Sequence, residues 1–261
     1  MKKVLTIAGS DCSGGAGIQA DLKTFAAHGT YGMSVVTSVV AENTCKVISI
    51  HNVPVQVIKE QMDAVFTDIT PDAVKVGMLS DAEVMKAVAE KLMEYKVKKA
   101  VIDPVMIAKG GCALMQEDAL DALIQQIIPL SYLLTPNIPE AETILHTKII
   151  SIDDMKQACQ KIYQLGAANV LVKGGHFDGD PVDVLYNGTE FYTFQGKRID
   201  SQNTHGTGCT LSSAIAANLA NGFAIQEAVQ KGKAYVTNAI QYATPIGKGH
   251  GPTNHFYQWF Q

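Results

Sequence analysis

Asn203-Thr204-His205-Gly206-Thr207-Gly208-Cys209-Thr210, running straight into Leu211-Ser212-Ser213-Ala214-Ile215-Ala216-Ala217, decides how this chain is to be read. Two glycines enclose a threonine, a thiol follows, and a run of small apolar residues opens behind it. That order predicts a loop feeding the N-terminus of a buried helix over 211–221. Unpaired backbone N–H groups and the positive end of the helix dipole converge at such a start. Phosphate is the natural occupant, and a thiol there is placed for chemistry on whatever carries the anion. The plain alternative is a Gly-rich turn with Cys209 as a small buried hydrophobe.

Outward from this loop, short β-branched runs alternate with longer helical patterns. Strands are predicted over 4–8, 32–40, 73–77, 99–103, 132–135 and 169–173. Helices are predicted over 19–27, 55–68, 81–95 with Asp81 as cap, 116–128, 152–164 and 225–242. Strands that end in polar residues and lead into helices mean βαβ units and a mainly parallel sheet, with ligands gathered at the strand carboxyl ends. Residues 181–186 and 188–194, joined through Asn187-Gly188, read as an antiparallel hairpin at one edge. Asp103, Asn137, Glu140, Lys173 and Gly174-Gly175 all fall just past strand ends, which places them on one cleft.

Composition narrows the function classes. The 261 residues are 47% hydrophobic, enough for a large core, and no linker, low-complexity tract or repeat divides them, so one domain over 1–261 is expected. A net charge of -4 with scattered Lys and Arg gives no footprint for nucleic acid. No run of about twenty apolar residues is present to cross a membrane. The apolar run after Met1-Lys2-Lys3 is too short for a signal peptide and reads as the first strand. Five widely spaced cysteines, Cys12, Cys45, Cys112, Cys159 and Cys209, include no Cys-x-x-Cys pair. They point away from a disulfide framework or zinc site and toward a reducing, cytoplasmic setting.

Three further constellations carry chemistry. Gly9-Ser10-Asp11-Cys12-Ser13-Gly14-Gly15-Ala16-Gly17 holds four glycines in nine residues, letting backbone approach a ligand closely. It is neither a dinucleotide fingerprint nor a P-loop. Asp103-Pro104-Val105-Met106 and Thr135-Pro136-Asn137-Ile138-Pro139-Glu140 place carboxylate and amide oxygens where Mg²⁺ beside phosphate would need them. Helix and turn capping for Asp103, and a solvated first-turn position for Glu140, are the competing readings. In Val170-Leu171-Val172-Lys173-Gly174-Gly175, a lysine at the end of an apolar strand calls for an anion.

These stretches, with Lys75-Val76-Gly77-Met78-Leu79 and Asn43-Thr44, resemble the ribokinase-like superfamily and, within it, the hydroxymethylpyrimidine and phosphomethylpyrimidine kinases of thiamine biosynthesis. The resemblance covers nearly the whole chain. It implies a three-layer α/β/α sandwich with a mainly parallel sheet and an antiparallel edge hairpin, use of ATP and Mg²⁺, a small heteroaromatic alcohol as substrate, and a homodimer. Gly206, Thr207 and Gly208 would form the anion hole, and Cys209 would stand where sugar and nucleoside kinases of the superfamily carry an aspartate base. A helix N-terminus lowers a thiol's pKa, so partial thiolate at neutral pH is expected. Asp103 and Glu140 match the Mg²⁺-linked acids, and Asn137, Lys173 and Thr207 the nucleotide contacts. Gly9, Ala16, Asp21, Glu42 and Met78 match the residues around the pyrimidine ring.

Pyridoxine and pyridoxal kinases of the same family are the nearest rivals. Glu42-Asn43-Thr44 and Ala108, where thiol-dependent pyridoxal kinases place a second cysteine, favour the pyrimidine; Cys112 lies four residues on and reads as incidental. A nucleoside or sugar kinase would carry Asp at 209, and a non-catalytic nucleotide-binding protein would lack the thiol or an acid. Cys209 and His205, four apart on a loop, make a weak case for a cysteine hydrolase. His176, His205, His250 and His255 have no assigned role.

Overall fold

The computed structural model describes residues 1–107, 111, 114–116 and 119–259. Ala108 and Cys112 lie outside them. The chain begins β1 (Lys3–Ala8), α1 (Gly17–Ala27), β2 (Tyr31–Val36), β3 (Ser38–Glu42), β4 (Val47–Asn52) and α2 (Val55–Asp68). It continues β5 (Ala73–Val76), α3 (Ala82–Glu94), β6 (Ala100–Ile102), α4 (Ala119–Ala122), β7 (Leu133–Leu134), α5 (Ile138–Leu145) and α6 (Ile152–Gln164). The last elements are β8 (Val170–Val172), the hairpin β9 (Val182–Tyr186) and β10 (Phe191–Gln195), and the helices α7 (Thr207–Ala220) and α8 (Ile225–Gln241).

One sheet of order β10-β9-β8-β7-β6-β5-β1-β2 runs through the molecule. It is parallel from β2 to β8, and β9 and β10 are antiparallel at the edge. Strand residues alternate between two cores, as the pleat requires. Leu5, Ile7, Val74, Val76, Ile102, Leu134, Val170 and Val172 pack with α2, α3, α5 and α6 on one face. Val4, Ala73, Val101, Leu133 and Leu171 pack with α7 and α8 on the other. Strands buried on both faces explain the near-continuous apolar runs in the sequence. The order reverses between β1 and β5, so the carboxyl ends there open a crevice at the switch point.

The expected sandwich is present, with three local corrections. The strand predicted over 32–40 is two strands: Thr37 donates its backbone N–H to Ala8 O at 3.0 Å and its hydroxyl to Met78 O at 3.2 Å. The chain there leaves the main sheet, and β3 pairs with β4 in a separate two-stranded flap. The helix predicted over 116–128 becomes the short α4, a π turn at Leu123–Ile127 and a 3-10 turn at Ile128–Leu130, where Pro129 cannot donate to an α-helical ladder. The Pro-rich segment after β7 starts a helix, α5, for which no span is predicted from the sequence.

Candidate active site

α7 starts at Thr207, four residues earlier than predicted, so Cys209 sits within its first turn. Gly206 before it has φ 78°, and a Cβ there would lie 1.8 Å from Gly15 O, so only glycine closes this contact. The Thr207 hydroxyl donates to Thr204 O at 2.8 Å, fixing the approach to the helix. Across the cleft stands Asp103, buried just past β6. It accepts from Lys173 Nζ at 2.6 Å and from the Thr135 hydroxyl at 3.1 Å. Its other oxygen faces α7, where a Cβ on Gly208 would approach Asp103 Oδ2 to 3.3 Å and Lys173 Nζ to 3.6 Å. The anion loop, an acid and a lysine therefore meet at one point.

Asn137 and Glu140 form a capping box at the start of α5. Asn137 Oδ1 accepts the Glu140 N–H at 2.8 Å, and Glu140 Oε2 accepts the Asn137 N–H at 2.7 Å. Glu140 is buried rather than solvated, which corrects the first-turn reading. Its carboxylate lies 4.0 Å from Lys173 Nζ. Burial pushes its pKa up to about 7, with Lys173 opposing and Asp103 adding to the rise. Burial works against the Lys173 ammonium too, yet Asp103 and Glu140 leave its pKa raised. Two carboxyl groups beside one ammonium make an oxygen-rich corner, which suits a hard, water-retaining cation such as Mg²⁺.

Cys209 departs from expectation. Burial pushes its thiol up to about 11; Asp21 and Asp103 add to this, and Lys75 and the Gly17 N–H oppose it. Desolvation outweighs Lys75 and the Gly17 N–H, so the resting group is a thiol and not the partial thiolate expected.

The other end of the cleft is built from β1, the glycine-rich loop and the flap. Gly9 packs on Met78, whose Cε would lie 2.6 Å from a Cβ at position 9. Ala16 and Glu42 complete this wall. Burial and the negative charge of Asp11 push Glu42 up to about 7, with His205 opposing. Asp11 binds its own loop, accepting N–H groups from Ser13 at 2.7 Å, Gly15 at 2.9 Å and Ala16 at 2.7 Å. His205 Nε2 lies 2.8 Å from the same carboxylate. Burial would raise the Asp11 pKa, but these donors hold it far below the usual range. Asp11, Glu42 and His205 approach within 4.8 Å of one another. Asp11 is already saturated by N–H and O–H donors, so the group is a hydrogen-bonded network and no metal centre.

Asp21 is corrected from the ring wall to the floor beneath it. It is fully buried, 2.9 Å from Lys75 Nζ, and accepts hydroxyls from Thr6 and Ser213 at 2.6 Å each. The remaining predicted residues, Gly9, Ala16, Glu42, Met78, Asp103, Asn137, Glu140, Lys173, Gly206, Thr207, Gly208 and Cys209, all line one cleft of about 770 Å³. Sequence reasoning missed Asp11 and His205 as a pair, since nothing in spacing joins residues 194 apart. It also missed Lys75, whose burial inside an apolar strand was the available signal.

Residues 11–254 match the family model described as phosphomethylpyrimidine kinase. The chain is 52% identical over 97% of its length to a thiamine biosynthesis bifunctional protein of Geobacter sulfurreducens, and spans about half of that protein (52%). It is 45% identical to the hydroxymethylpyrimidine/phosphomethylpyrimidine kinase of Bacillus subtilis, covering 97% of this chain and 94% of that one. An ADP complex of Bacillus subtilis pyridoxal kinase superposes with TM-score 0.93 over the whole of both chains at 38% identity. With this fold, this cleft and these matches, the chain belongs to the phosphomethylpyrimidine kinase family, a family of ribokinase-like phosphotransferases.

Proposed function

We propose that the protein transfers the γ-phosphoryl group of ATP to the hydroxymethyl group of 4-amino-5-hydroxymethyl-2-methylpyrimidine, and then phosphorylates the monophosphate. One observation carries this reading: the first turn of α7, with Cys209, closes on the Asp103–Lys173 pair inside the same cleft as Glu42 and Met78. A loose phosphoryl transition state needs positioning and charge compensation more than covalent chemistry. Gly206, Thr207 and Gly208 present amides to the transferring group. Lys173 meets its negative charge, and Asn137 and Thr207 border the nucleotide path.

Cys209 is the group placed to take the proton of the attacking hydroxyl. Because its resting state is the thiol, the thiolate fraction, and with it the rate, rises with pH. Asp103, supported by Glu140, would hold Mg²⁺, which supplies charge neutralisation at the phosphates. Gly9, Ala16 and Met78 would contact the flat faces of the ring, and Glu42, as acid or carboxylate, would pair with an aminopyrimidine edge through two hydrogen bonds. Asp21 acts from beneath, holding Lys75 and α7.

Likeness to pyridoxal kinases favours a second reading, phosphorylation of pyridoxine or pyridoxal at the same hydroxymethyl position. The deciding experiment is a steady-state assay of the purified protein with ATP against the pyrimidine, its phosphate, pyridoxine and pyridoxal. Turnover of none of the four sinks the kinase reading; a preference for pyridoxal by orders of magnitude changes the substrate alone. Among the described residues no helix is long and apolar enough to cross a membrane, and Cys12, Cys45, Cys159 and Cys209 are free thiols, which supports a cytoplasmic setting. We read the chain as one domain acting as a homodimer, and sedimentation at micromolar protein tests the latter.

A further inference from the structure

Thr44 fastens the flap to the C-terminal segment of the chain. It stands in the turn between β3 and β4, two residues past Glu42. Its Oγ1 accepts the backbone N–H groups of Lys248 at 3.2 Å and Gly249 at 3.1 Å, and its carbonyl accepts the His250 N–H at 2.9 Å. The segment held in this way is nearly bare backbone, with glycine at 247, 249 and 251. A Cβ on Gly249 would lie 2.2 Å from Thr44 O, and one on Gly251 2.1 Å from Asn203 Oδ1. Side chains at these positions would part the surfaces that the segment joins.

Beyond the glycines, the same segment reaches the transfer end twice. Gly251 O accepts the His205 N–H at 3.0 Å, and Pro252 pairs with His205 in a parallel bridge. Gly206 and α7 follow His205 directly. Three residues past Pro252, the His255 ring stands 3.1 Å from the hydroxyl of Thr210, the neighbour of Cys209 in α7. Tyr235 of α8 fixes that end, donating its hydroxyl to His255 O at 2.8 Å. Residues 248–255 are thus a strap from the flap turn to the start of α7. Neither Thr44 nor the strap is among the described residues that line the cleft, so Thr44 can act on the reaction only through others. The ring is held under the flap and the phosphoryl group is transferred at α7. A misplacement of about 1 Å arising far from the chemistry can cost ~100-fold in rate, so the register between these two bodies matters.

Resting on the kinase reading above, we propose that Thr44 is a positioning residue for phosphoryl transfer. Through the strap it sets the anion loop and Cys209 in register with the ring held under the flap, so that occupancy of the alcohol site is felt at α7.

The test compares Thr44→Val, Thr44→Ser and Gly249→Ala with the unaltered protein. Valine keeps the shape of Thr44 and removes the acceptor, whereas Gly249→Ala keeps Thr44 and lifts the strap away from it. Gly249 is not one of the glycines with positive φ, so alanine acts there through the contact alone. Steady-state kcat and KM are measured for ATP and for 4-amino-5-hydroxymethyl-2-methylpyrimidine, together with amide hydrogen exchange with and without the pyrimidine. Thr44→Val and Gly249→Ala should each lower kcat about tenfold, the loss attached to two backbone hydrogen bonds. The KM for ATP should stay within about twofold, and Thr44→Ser should recover most of the rate. The pyrimidine should slow exchange over both 38–52 and 203–210 in the unaltered protein, but over 38–52 alone in Thr44→Val and Gly249→Ala. Wild-type kcat in either folded variant, a change confined to the KM for the pyrimidine, or slowed exchange at 203–210 retained without the contact overturns the proposal. If one variant fails to fold the other decides, and loss of the fold in both overturns it by making the strap purely structural. If the unaltered protein phosphorylates no alcohol at all, the kinase reading itself fails.

Discussion

The two ends of the cleft handle buried charge in opposite ways. At the transfer end, Asp103 and Glu140 share Lys173, and every charge has an opposite charge within 4.0 Å. At the ring end, Glu42 has the Asp11 carboxylate for a neighbour, and the His205 ring beside them already bonds Asp11. The transfer end rests on the strand ends of the main sheet, whereas the ring end is a glycine-rich loop and a two-stranded flap. The Asp103–Lys173 ion pair, set on the rigid sheet, suits a reaction that develops the same anionic charge each time. A carboxyl group poised between acid and anion suits recognition of a ring edge that both donates and accepts.

The largest expected effect strikes both ends at once. Lys75→Met strands Asp21 in the floor and should cost about 3–5 kcal/mol in urea unfolding, while adding Asp21→Leu should restore most of it. A loss under 1 kcal/mol (roughly the worth of an exposed pair) would show that the floor is wet. Next comes Cys209→Ala, which should lower kcat by at least ~10²-fold with the alcohol KM little changed. Full activity would leave the amides alone with the chemistry.

The Cys209 thiol, pushed up to about 11, should make log kcat/KM climb with pH between about 7 and 9, and that slope should vanish in Cys209→Ala. A flat wild-type profile breaks the contrast from the transfer side. From the ring side, Glu42→Gln should raise the alcohol KM by about tenfold and spare kcat.

The smallest effect is in stability. Folded Glu42 keeps its proton up to about 7, whereas the unfolded chain releases it near 4.5. Its contribution is whole below 4.5 and is lost as pH rises through 7. Glu42→Gln should therefore gain melting temperature relative to wild type between pH 5 and 8, and parallel curves would show an ordinary surface carboxylate.

The parallel sheet was legible because strands buried on both faces read as apolar runs, and α2 and α6 were placed to the residue by their periodicity. The flap was not, because Thr37 breaks the run 32–40 through bonds to Ala8 and Met78 that no local pattern announces. α5 was not predicted, although Asn137-Ile138-Pro139-Glu140 carries both a capping box and a proline in a first turn, where its missing N–H costs nothing. At the site, residue types and strand-end positions placed nearly every lining side chain. What failed was burial: Asp21 drawn to the floor, Glu140 into its cap, and Cys209 to a raised pKa are consequences of tertiary packing.

The saturated Asp11 carboxylate has a consequence for how the site is made. Its far partner His205 is 194 residues away, and at typical synthesis rates about ten to forty seconds pass before it leaves the ribosome. During that interval Ser13, Gly15 and Ala16 can already hold Asp11, because all three donors lie within five residues of it. The ring-side loop can thus take its shape early in the birth of the chain, and the arriving anion loop docks onto a form already set.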